Sequence, residues 1–186
     1  YRRQRPDVYK RQDLMGTLST PFAPLVNAAT GLMPVRRVLD AALKIDHRRS
    51  LPKYGFGTFR RAYRQLAGQQ AQYAEQVAFF HGCYVNYNNP QLGKDLIRVL
   101  NAMGIGVQLL HKEKCCGVPL IANGFFAKAR KQAQSNVTAM RENNLPVVAT
   151  SSTCTFTLRD EYPHILDIDN HDAVSYTHLR AHETSA

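Results

Sequence analysis

The chain has 186 residues, of which 44% are hydrophobic and 20% charged, and its formal net charge is +10. This length suits one ordinary domain with an additional segment, and the apolar content suffices for a packed core. The four cysteines are not spaced as in secreted mini-proteins, which favours free thiols in a reducing compartment. No nucleic-acid recognition motif, phosphate loop or hydrolytic triad is visible, so we expect neither a nucleic-acid partner nor hydrolysis.

Both ends of the chain match translated sequencing adapters. Residues 7–12 read DVYKRQ, the in-frame translation of a transposase mosaic end, and residues 174–184 read VSYTHLRAHET, the translation of the opposite adapter. We therefore expect residues 1–12 and 174–186 to be artefacts and exclude them from the fold. They carry six Lys or Arg and two acidic residues, so the net charge without them falls from +10 to +6.

Residues 13–76 are predicted to form a helical lead-in. Residues 14–35 contain no charged side chain, but three prolines and several small polar residues argue against a membrane-spanning helix. An amphipathic helix is expected at residues 34–45, and its apolar face suits either a membrane surface or a neighbouring domain. A turn-rich linker (residues 47–57) and a second, basic helix (residues 58–76) complete this region.

Beyond residue 76 the pattern changes to alternating strands and helices. Strands are predicted at four places: residues 77–80, 107–110, 146–150 and, shortest, 165–168. Helices are predicted between them, at residues 90–103 and 124–143. Because the connections are too long for hairpins, we expect residues 77–173 to form a three-layer α/β module with a parallel sheet.

All four cysteines follow predicted strands: Cys83, the adjacent pair Cys115 and Cys116, and Cys154. The carboxyl ends of parallel strands meet at one edge of a sheet, so these thiols are expected to converge. Converging thiolates bind metals and iron–sulfur clusters, and adjacent thiolates can ligate different irons. The residues alone leave three interpretations open: an iron–sulfur cluster, a zinc site or inert buried thiols.

Three nearby side chains are further candidates. His81 is a possible ligand or proton site, although a histidine at a strand end is more often structural. Tyr84 and Tyr87 suit either a quinone contact or core packing, and core packing is expected for at least one of them.

Three sequence runs around the cysteines resemble the cysteine-rich CCG family: residues 79–90, 114–120 and 150–156. This family includes the B subunit of heterodisulfide reductase, the glycolate oxidase iron–sulfur subunit and lactate-utilisation proteins. Within it, the runs are most similar to the C subunits of anaerobic glycerol-3-phosphate dehydrogenases, and the resemblance extends over residues 13–170.

The resemblance implies that Cys83, Cys115, Cys116 and Cys154 bind an iron–sulfur cluster of the 4Fe–4S type. Several relatives have a further cysteine three positions after the last one, where this chain has Thr157. This difference disfavours the five-thiolate, non-cubane cluster of heterodisulfide reductases, while a four-thiolate cluster remains chemically complete.

The resemblance also implies an electron-transfer subunit of an oxidoreductase complex, with no catalytic residue of its own. A flavin-containing partner, which alone carries FAD, would oxidise sn-glycerol 3-phosphate to dihydroxyacetone phosphate. This chain would pass the electrons to menaquinone as a peripheral protein at the cytoplasmic face of the bacterial inner membrane.

Relatives usually have two cysteine-rich modules and a ferredoxin-like domain, so the single module here implies part of a longer protein. The alternative function is a structural module, stabilised by zinc or thiols, that bridges subunits without a redox role.

Overall fold

The computed structural model describes residues 12–43 and 45–170 of the chain. The segments interpreted as adapter translations, residues 1–12 and 174–186, lie outside the described residues apart from Gln12. The described residues form an α/β module preceded by a helical lead-in, as the sequence predicts.

The lead-in consists of short helices that break where the prolines predict. Helix α1 (Gln12–Ser19) and helix α2 (Ala23–Gly31) flank a 3-10 turn (Thr20–Phe22), and helix α3 (Met33–Leu43) follows. A proline lies in the first turn of both the 3-10 turn and α2, where its missing N–H leaves no hydrogen bond unmade. Within the described ranges, no helix is long and apolar enough to cross a bilayer.

The prediction of one continuous helix over residues 58–76 is wrong. Two short helices and the start of the first strand occupy this segment: α4 (Phe59–Tyr63), α5 (Ala67–Gln70) and β1 (Glu75–Phe80). The Tyr63 hydroxyl donates to the carbonyl of Val107 at 2.6 Å, and the Gln70 side chain accepts from the Val107 N–H at 3.1 Å. Val107 belongs to an edge strand whose outer backbone groups need partners, so this segment folds against that edge.

The sheet has three parallel strands, with β2 (Ile105–Leu109) and β3 (Val147–Ala149) on either side of β1. Three of the four predicted strands are thus confirmed, together with their parallel direction. In the register, Phe79 of β1 lies opposite Leu109, and Phe80 lies opposite Ala149. The carboxyl ends of all three strands therefore lie at the same edge.

Helices cover both faces of the sheet and give the expected three layers. The remaining helical elements are a π-helical turn (Tyr84–Asn88), α6 (Pro90–Ala102), α7 (Val118–Ile121), α8 (Phe126–Asn143), α9 (Ser152–Phe156), a second π-helical turn (Thr157–Glu161) and α10 (Tyr162–Leu166). Ala78 and Phe80 pack with α8 and α10 on one face. Phe79, which points the opposite way, packs with Phe59 of α4 and Ile97 of α6 on the other.

The predicted short strand at residues 165–168 is wrong, because this segment is the end of helix α10. Asp167 adopts a left-handed conformation with φ of 50°, and the N–H of Ile168 donates to the carbonyl of Tyr162 at 3.0 Å. This is a helix-terminating hydrogen bond of the Schellman type. Leu166 and Ile168 are both buried in the core on the α8 side of the sheet, so their apolar character comes from packing at a helix end.

The first two helices of the lead-in are held by a glycine, which contacts the module, and by an asparagine, which contacts the linker of the lead-in. Tyr87 packs so closely on Gly16 of α1 that a Cβ at Gly16 would lie 2.7 Å from the ring. The Asn27 side chain of α2 exchanges two hydrogen bonds with the backbone of Tyr54, at 2.8 and 2.9 Å. Elsewhere the lead-in exposes large apolar side chains: Met15, Leu18, Phe22, Leu25, Leu32, Met33 and Val38.

Gly93 of α6 provides the first test of this packing. A Cβ at Gly93 would lie 2.5 Å from the ring of the fully buried Phe59. We expect Gly93→Ala to lower the free energy of unfolding by about 1–3 kcal/mol through overpacking. Gly68→Ala is the control, because a Cβ there meets open space; it should be neutral or stabilise α5 by up to about 1 kcal/mol. Urea denaturation measures both, and equal stability of the two variants would contradict the packing described.

Candidate metal centre

The three strands deliver the predicted site residues to one edge of the sheet. Cys83 follows β1, Cys115 and Cys116 follow β2, and Cys154 lies in α9 directly after β3. Because the strands are parallel neighbours, their three following loops meet, and the four thiols are brought together.

The four sulfurs form a continuous row of contacts. Cys83 Sγ lies 3.9 Å from Cys115 Sγ, Cys115 shares a hydrogen bond with Cys116, and Cys116 shares another with Cys154. All four cysteines are free thiols. Cys115 and Cys116 are only 8% and 4% exposed, whereas Cys83 and Cys154 at the ends of the row are half-buried. The middle of the row is thus shielded from water, and its ends are accessible.

Hydrogen bonding within the row favours ionisation of two of the thiols. Hydrogen bonding with Cys116 and then with Cys83 holds the pKa of Cys115 well below its usual range. The hydrogen bond from Cys116, helped by Ser151, also lowers the pKa of Cys154. The hydrogen bonds to Cys115 and Cys154 raise the pKa of Cys116 itself. The thiolate is the form of cysteine that binds metals, and the row lowers the pKa of both Cys115 and Cys154.

Asn136 and Tyr162 fix the backbone of the adjacent cysteines. The buried Asn136 side chain accepts from the N–H of Lys114 at 2.8 Å and donates to the carbonyl of Cys115 at 3.3 Å. It also donates to the Tyr162 hydroxyl at 3.0 Å, which in turn donates to the carbonyl of Cys116 at 2.9 Å. The two helices on this face therefore fix the positions of both cysteine carbonyls.

Glu113 ties the loop after β2 to the loop after β1. Its side chain is only 1% exposed and accepts from the N–H of Gly82 at 2.8 Å. Burial raises the pKa of Glu113 to about 8. Gly82 has φ of 64°, and a Cβ there would lie 3.3 Å from Cys154 Sγ, so the close approach of the Cys83 and Cys154 loops requires glycine.

His81 is structural, because both of its ring nitrogens are engaged by protein groups. Arg60 donates through Nε to His81 Nε2 at 3.0 Å, and His81 Nδ1 lies 2.8 Å from the carbonyl of Gly82. Burial lowers the pKa of His81 to about 4. With Nε2 accepting from Arg60, the neutral ring carries its proton on Nδ1 and donates to Gly82.

The two tyrosines after Cys83 have different surroundings. Tyr87 packs on the lead-in, whereas Tyr84 is exposed beside the site.

Thr157, three positions after Cys154, makes a hydrogen bond that does not involve the cysteines. Its fully buried hydroxyl donates to the Glu161 carboxylate at 2.6 Å. This side chain is therefore used within the π-helical turn.

The polar residues that support the cysteines were not predicted from the sequence: Arg60, Glu113, Asn136 and Tyr162. Asn136 had a visible signal, because it interrupts the apolar stripe of α8 beside Ala133 and Val137. A polar residue in such a stripe is buried and has to find partners. Arg60 gave no such signal, because it belongs to a basic sequence run that is typical of a solvent-exposed helix face.

One other cluster of potential metal ligands occurs among the described residues: Asp40, Asp46 and His47. Arg48 already pairs with Asp46 at 2.7 Å, and His47 Nδ1 lies 2.9 Å from Asp40. These contacts account for the cluster as a local ion-pair network.

Comparison with known proteins agrees with the cysteine pattern. Residues 77–159 match the family model described as a cysteine-rich domain, CCG. The chain contains a cysteine-rich CCG domain. Arg60 lies outside the matched residues, whereas Glu113, Asn136 and the four cysteines lie within them.

Similar proteins extend beyond the CCG domain. The chain is 73% identical over 167 residues to the C subunit of the anaerobic glycerol-3-phosphate dehydrogenase of Escherichia coli K12, covering 88% of this chain and 42% of that protein. It is 32% identical to lactate utilization protein A of Bacillus velezensis, over 50% of this chain and 39% of that protein. It is 31% identical to the B subunit of the fumarate reductase (CoM/CoB) of Methanothermobacter marburgensis, over 50% of this chain and 20% of that protein. The chain thus spans less than half the length of these relatives, and no solved structure matches it significantly.

Asn136 allows a test of the support beneath the CCG domain's adjacent cysteines. Asn136→Ala leaves the Lys114 N–H and the Cys115 carbonyl without this partner, and each unsatisfied buried group costs about 1–3 kcal/mol. We expect a lower free energy of unfolding and faster reaction of the buried thiols with a thiol reagent. Gln134→Ala, at an exposed position of the same helix, should change the stability by less than about 0.5 kcal/mol. Thiol reactivity equal to that of the unmodified chain would contradict the positioning role.

Proposed function

We propose that this chain is the cysteine-rich part of an iron–sulfur subunit that transfers electrons within an anaerobic glycerol-3-phosphate dehydrogenase. The observation that carries the proposal is the convergence of four free thiols at one edge of the sheet. The 73% identity to the C subunit of such a dehydrogenase supports the assignment to this complex. A methanococcal relative named as an iron–sulfur protein, 35% identical over 47% of this chain, supports the cofactor class.

The donor set fits an iron–sulfur cluster better than a single zinc ion. A tetrahedral zinc site with Zn–S bonds of about 2.3 Å brings its four sulfurs to within roughly 3.8 Å of one another. Among the described residues, no three of these sulfurs all lie within 4.8 Å of each other. The row is therefore not the closed tetrahedron of a single zinc ion, whereas a cluster of several irons does not need all four thiolates within reach of one metal.

Cys83, Cys115, Cys116 and Cys154 would hold this group, and four thiolates are sufficient for a 4Fe–4S cluster. When bound, such a cluster accepts and releases single electrons. The chain's own residues fix the ligands: Asn136 and Tyr162 hold the backbone of the adjacent pair, and Glu113 holds the loop that carries Cys83.

The substrate chemistry belongs to partners in this proposal. A flavin-containing subunit with FAD oxidises sn-glycerol 3-phosphate to dihydroxyacetone phosphate, and the electrons pass through this chain to menaquinone. The half-buried Cys83 and Cys154, at the ends of the sulfur row, give the site access to the surface. No catalytic residue for substrate oxidation is required in this chain.

Cysteine variants test the ligand assignment. We expect Cys115→Ser and Cys116→Ser to lose most of the bound iron and all electron transfer to quinone. Oxidation of glycerol 3-phosphate with an artificial acceptor should survive in the partner subunits. Ser152→Ala, at an exposed position next to the site, serves as the control and should keep its iron. The measurement is the iron content after anaerobic purification. If both cysteine variants bind as much iron as the unmodified chain, Cys115 and Cys116 are excluded as ligands.

A peripheral position at the cytoplasmic face of the inner membrane completes the proposal. The exposed apolar side chains of the lead-in, such as Leu25 and Val38, and the basic residues of α3 suit an anionic lipid surface.

Vesicle sedimentation tests this position. Binding to anionic vesicles should weaken with rising salt, because each basic residue near the surface contributes about 1 kcal/mol. We expect Leu25→Glu to weaken binding, whereas Val99→Glu, an equally apolar exposed site on the module, should not. Equal, salt-independent binding to neutral and anionic vesicles would instead indicate general apolar stickiness.

A further inference from the structure

Arg60 of α4 reaches from the lead-in to the base of the cysteine site. Its Nε donates to His81 Nε2 at 3.0 Å, and its Nη2 donates to the carbonyl of Leu110 at 2.8 Å. Its backbone N–H donates to the Asn86 side chain at 3.1 Å. Arg60 therefore contacts the loops that follow both β1 and β2.

The position of Arg60 is fixed by the core. The neighbouring Phe59 is fully buried and packs against Phe79 and the His81 ring, with centroid distances of 5.6 Å to each. Because the Phe59 ring packs against Gly93 of α6, the backbone beside Arg60 is fixed, and the half-buried guanidinium lies against His81 and the Leu110 carbonyl.

A line of hydrogen bonds connects the guanidinium to the first cysteine loop. Arg60 donates to His81, and the opposite ring nitrogen of His81 donates to the carbonyl of Gly82. That carbonyl belongs to the same peptide group as the N–H of Cys83. Hydrogen bonds in series polarise one another, so the positive charge of Arg60 increases the partial positive charge at the Cys83 N–H.

Among the described residues, Arg60 forms no ion pair; the acidic group that faces the same histidine is Glu113, whose Oε1 lies 3.3 Å from His81 Nδ1, and burial raises the pKa of this carboxyl to about 8. The side-chain partners that the structure describes for Arg60 are an imidazole nitrogen and a backbone carbonyl, both neutral acceptors. The adjacent Arg61, by contrast, is exposed on the outer side of the same helix. The two adjacent arginines thus differ in their contacts with the loops around the thiols.

We propose that Arg60 is a positioning residue that raises the reduction potential of the iron–sulfur group held by the four cysteines, acting through His81 and the Gly82 carbonyl. This inference rests on the proposed function. Reduction adds one electron and hence one negative charge to the site, and no bond forms or breaks. A fixed positive charge in a poorly solvated position favours the more negative state, and net charge and hydrogen bonding both set such potentials.

The test is an anaerobic redox titration of the full chain, with dithionite as the electron donor and electron paramagnetic resonance as the readout. We expect the midpoint potential of Arg60→Gln to be more negative than that of the unmodified chain. Arg60→Lys keeps the charge but lacks the planar pair of donors, so a smaller shift in the same direction is expected. Arg61→Gln makes the same change in net charge at an exposed, screened position and should leave the potential unchanged.

The outcomes separate this inference from the proposed function. Absence of iron from the unmodified chain would overturn both. Normal iron content in Arg60→Gln with an unchanged potential would overturn the role of Arg60 alone, as would equal shifts in the Arg60→Gln and Arg61→Gln variants. If Arg60→Gln loses its iron or fails to fold, Arg60→Lys decides: a negative shift beyond that of Arg61→Gln supports the role, and an unshifted potential overturns it.

Discussion

Convergence of three loops at the carboxyl edge of a parallel sheet is the constraint on which the rest of this molecule depends. The loops bring four thiols together, and hydrogen bonding within the row lowers the pKa of Cys115 and Cys154. Burying ionisable thiols and the backbone groups around them costs free energy unless these polar groups are hydrogen-bonded. Asn136 and Glu113 meet this requirement by satisfying the backbone around the sulfurs from two directions. The helices on both faces therefore hold the loops as well as filling the core.

The lead-in participates in the same arrangement. Tyr63 and Gln70 satisfy the outer edge of β2, Phe59 fills the core beside α6, and Arg60 reaches the strand ends. These contacts come from residues outside the matched CCG domain, which begins at residue 77. The residues before the CCG domain thus contribute side chains to its core and a positively charged side chain beside its cysteine loops. The apolar side chains on the outer side of the lead-in remain exposed and available for contact with another surface.

Features that depend on local pattern could be predicted from the sequence, and features that depend on distant partners could not. The apolar runs predicted the three strands, and the position of Cys83, Cys115 and Cys154 after them predicted that the thiols come together. Residues 58–76 were misassigned because their course depends on the unpaired edge of β2, more than thirty positions away. The sequence of residues 165–168 alone is typical of a strand, but the segment is the end of a helix whose buried apolar side chains pack in the core. Arg60 was missed for a similar reason, since its partner His81 becomes its neighbour only in the folded chain.

The most direct test of the account is the metal content of the full chain purified under anaerobic conditions. Iron, acid-labile sulfide and zinc should be measured on the same sample, together with its visible and electron paramagnetic resonance spectra. The account predicts about four irons and four sulfides per CCG domain, as for a 4Fe–4S cluster, with a paramagnetic signal that depends on redox state. One zinc per domain without iron or sulfide would contradict it and favour a structural module that bridges subunits.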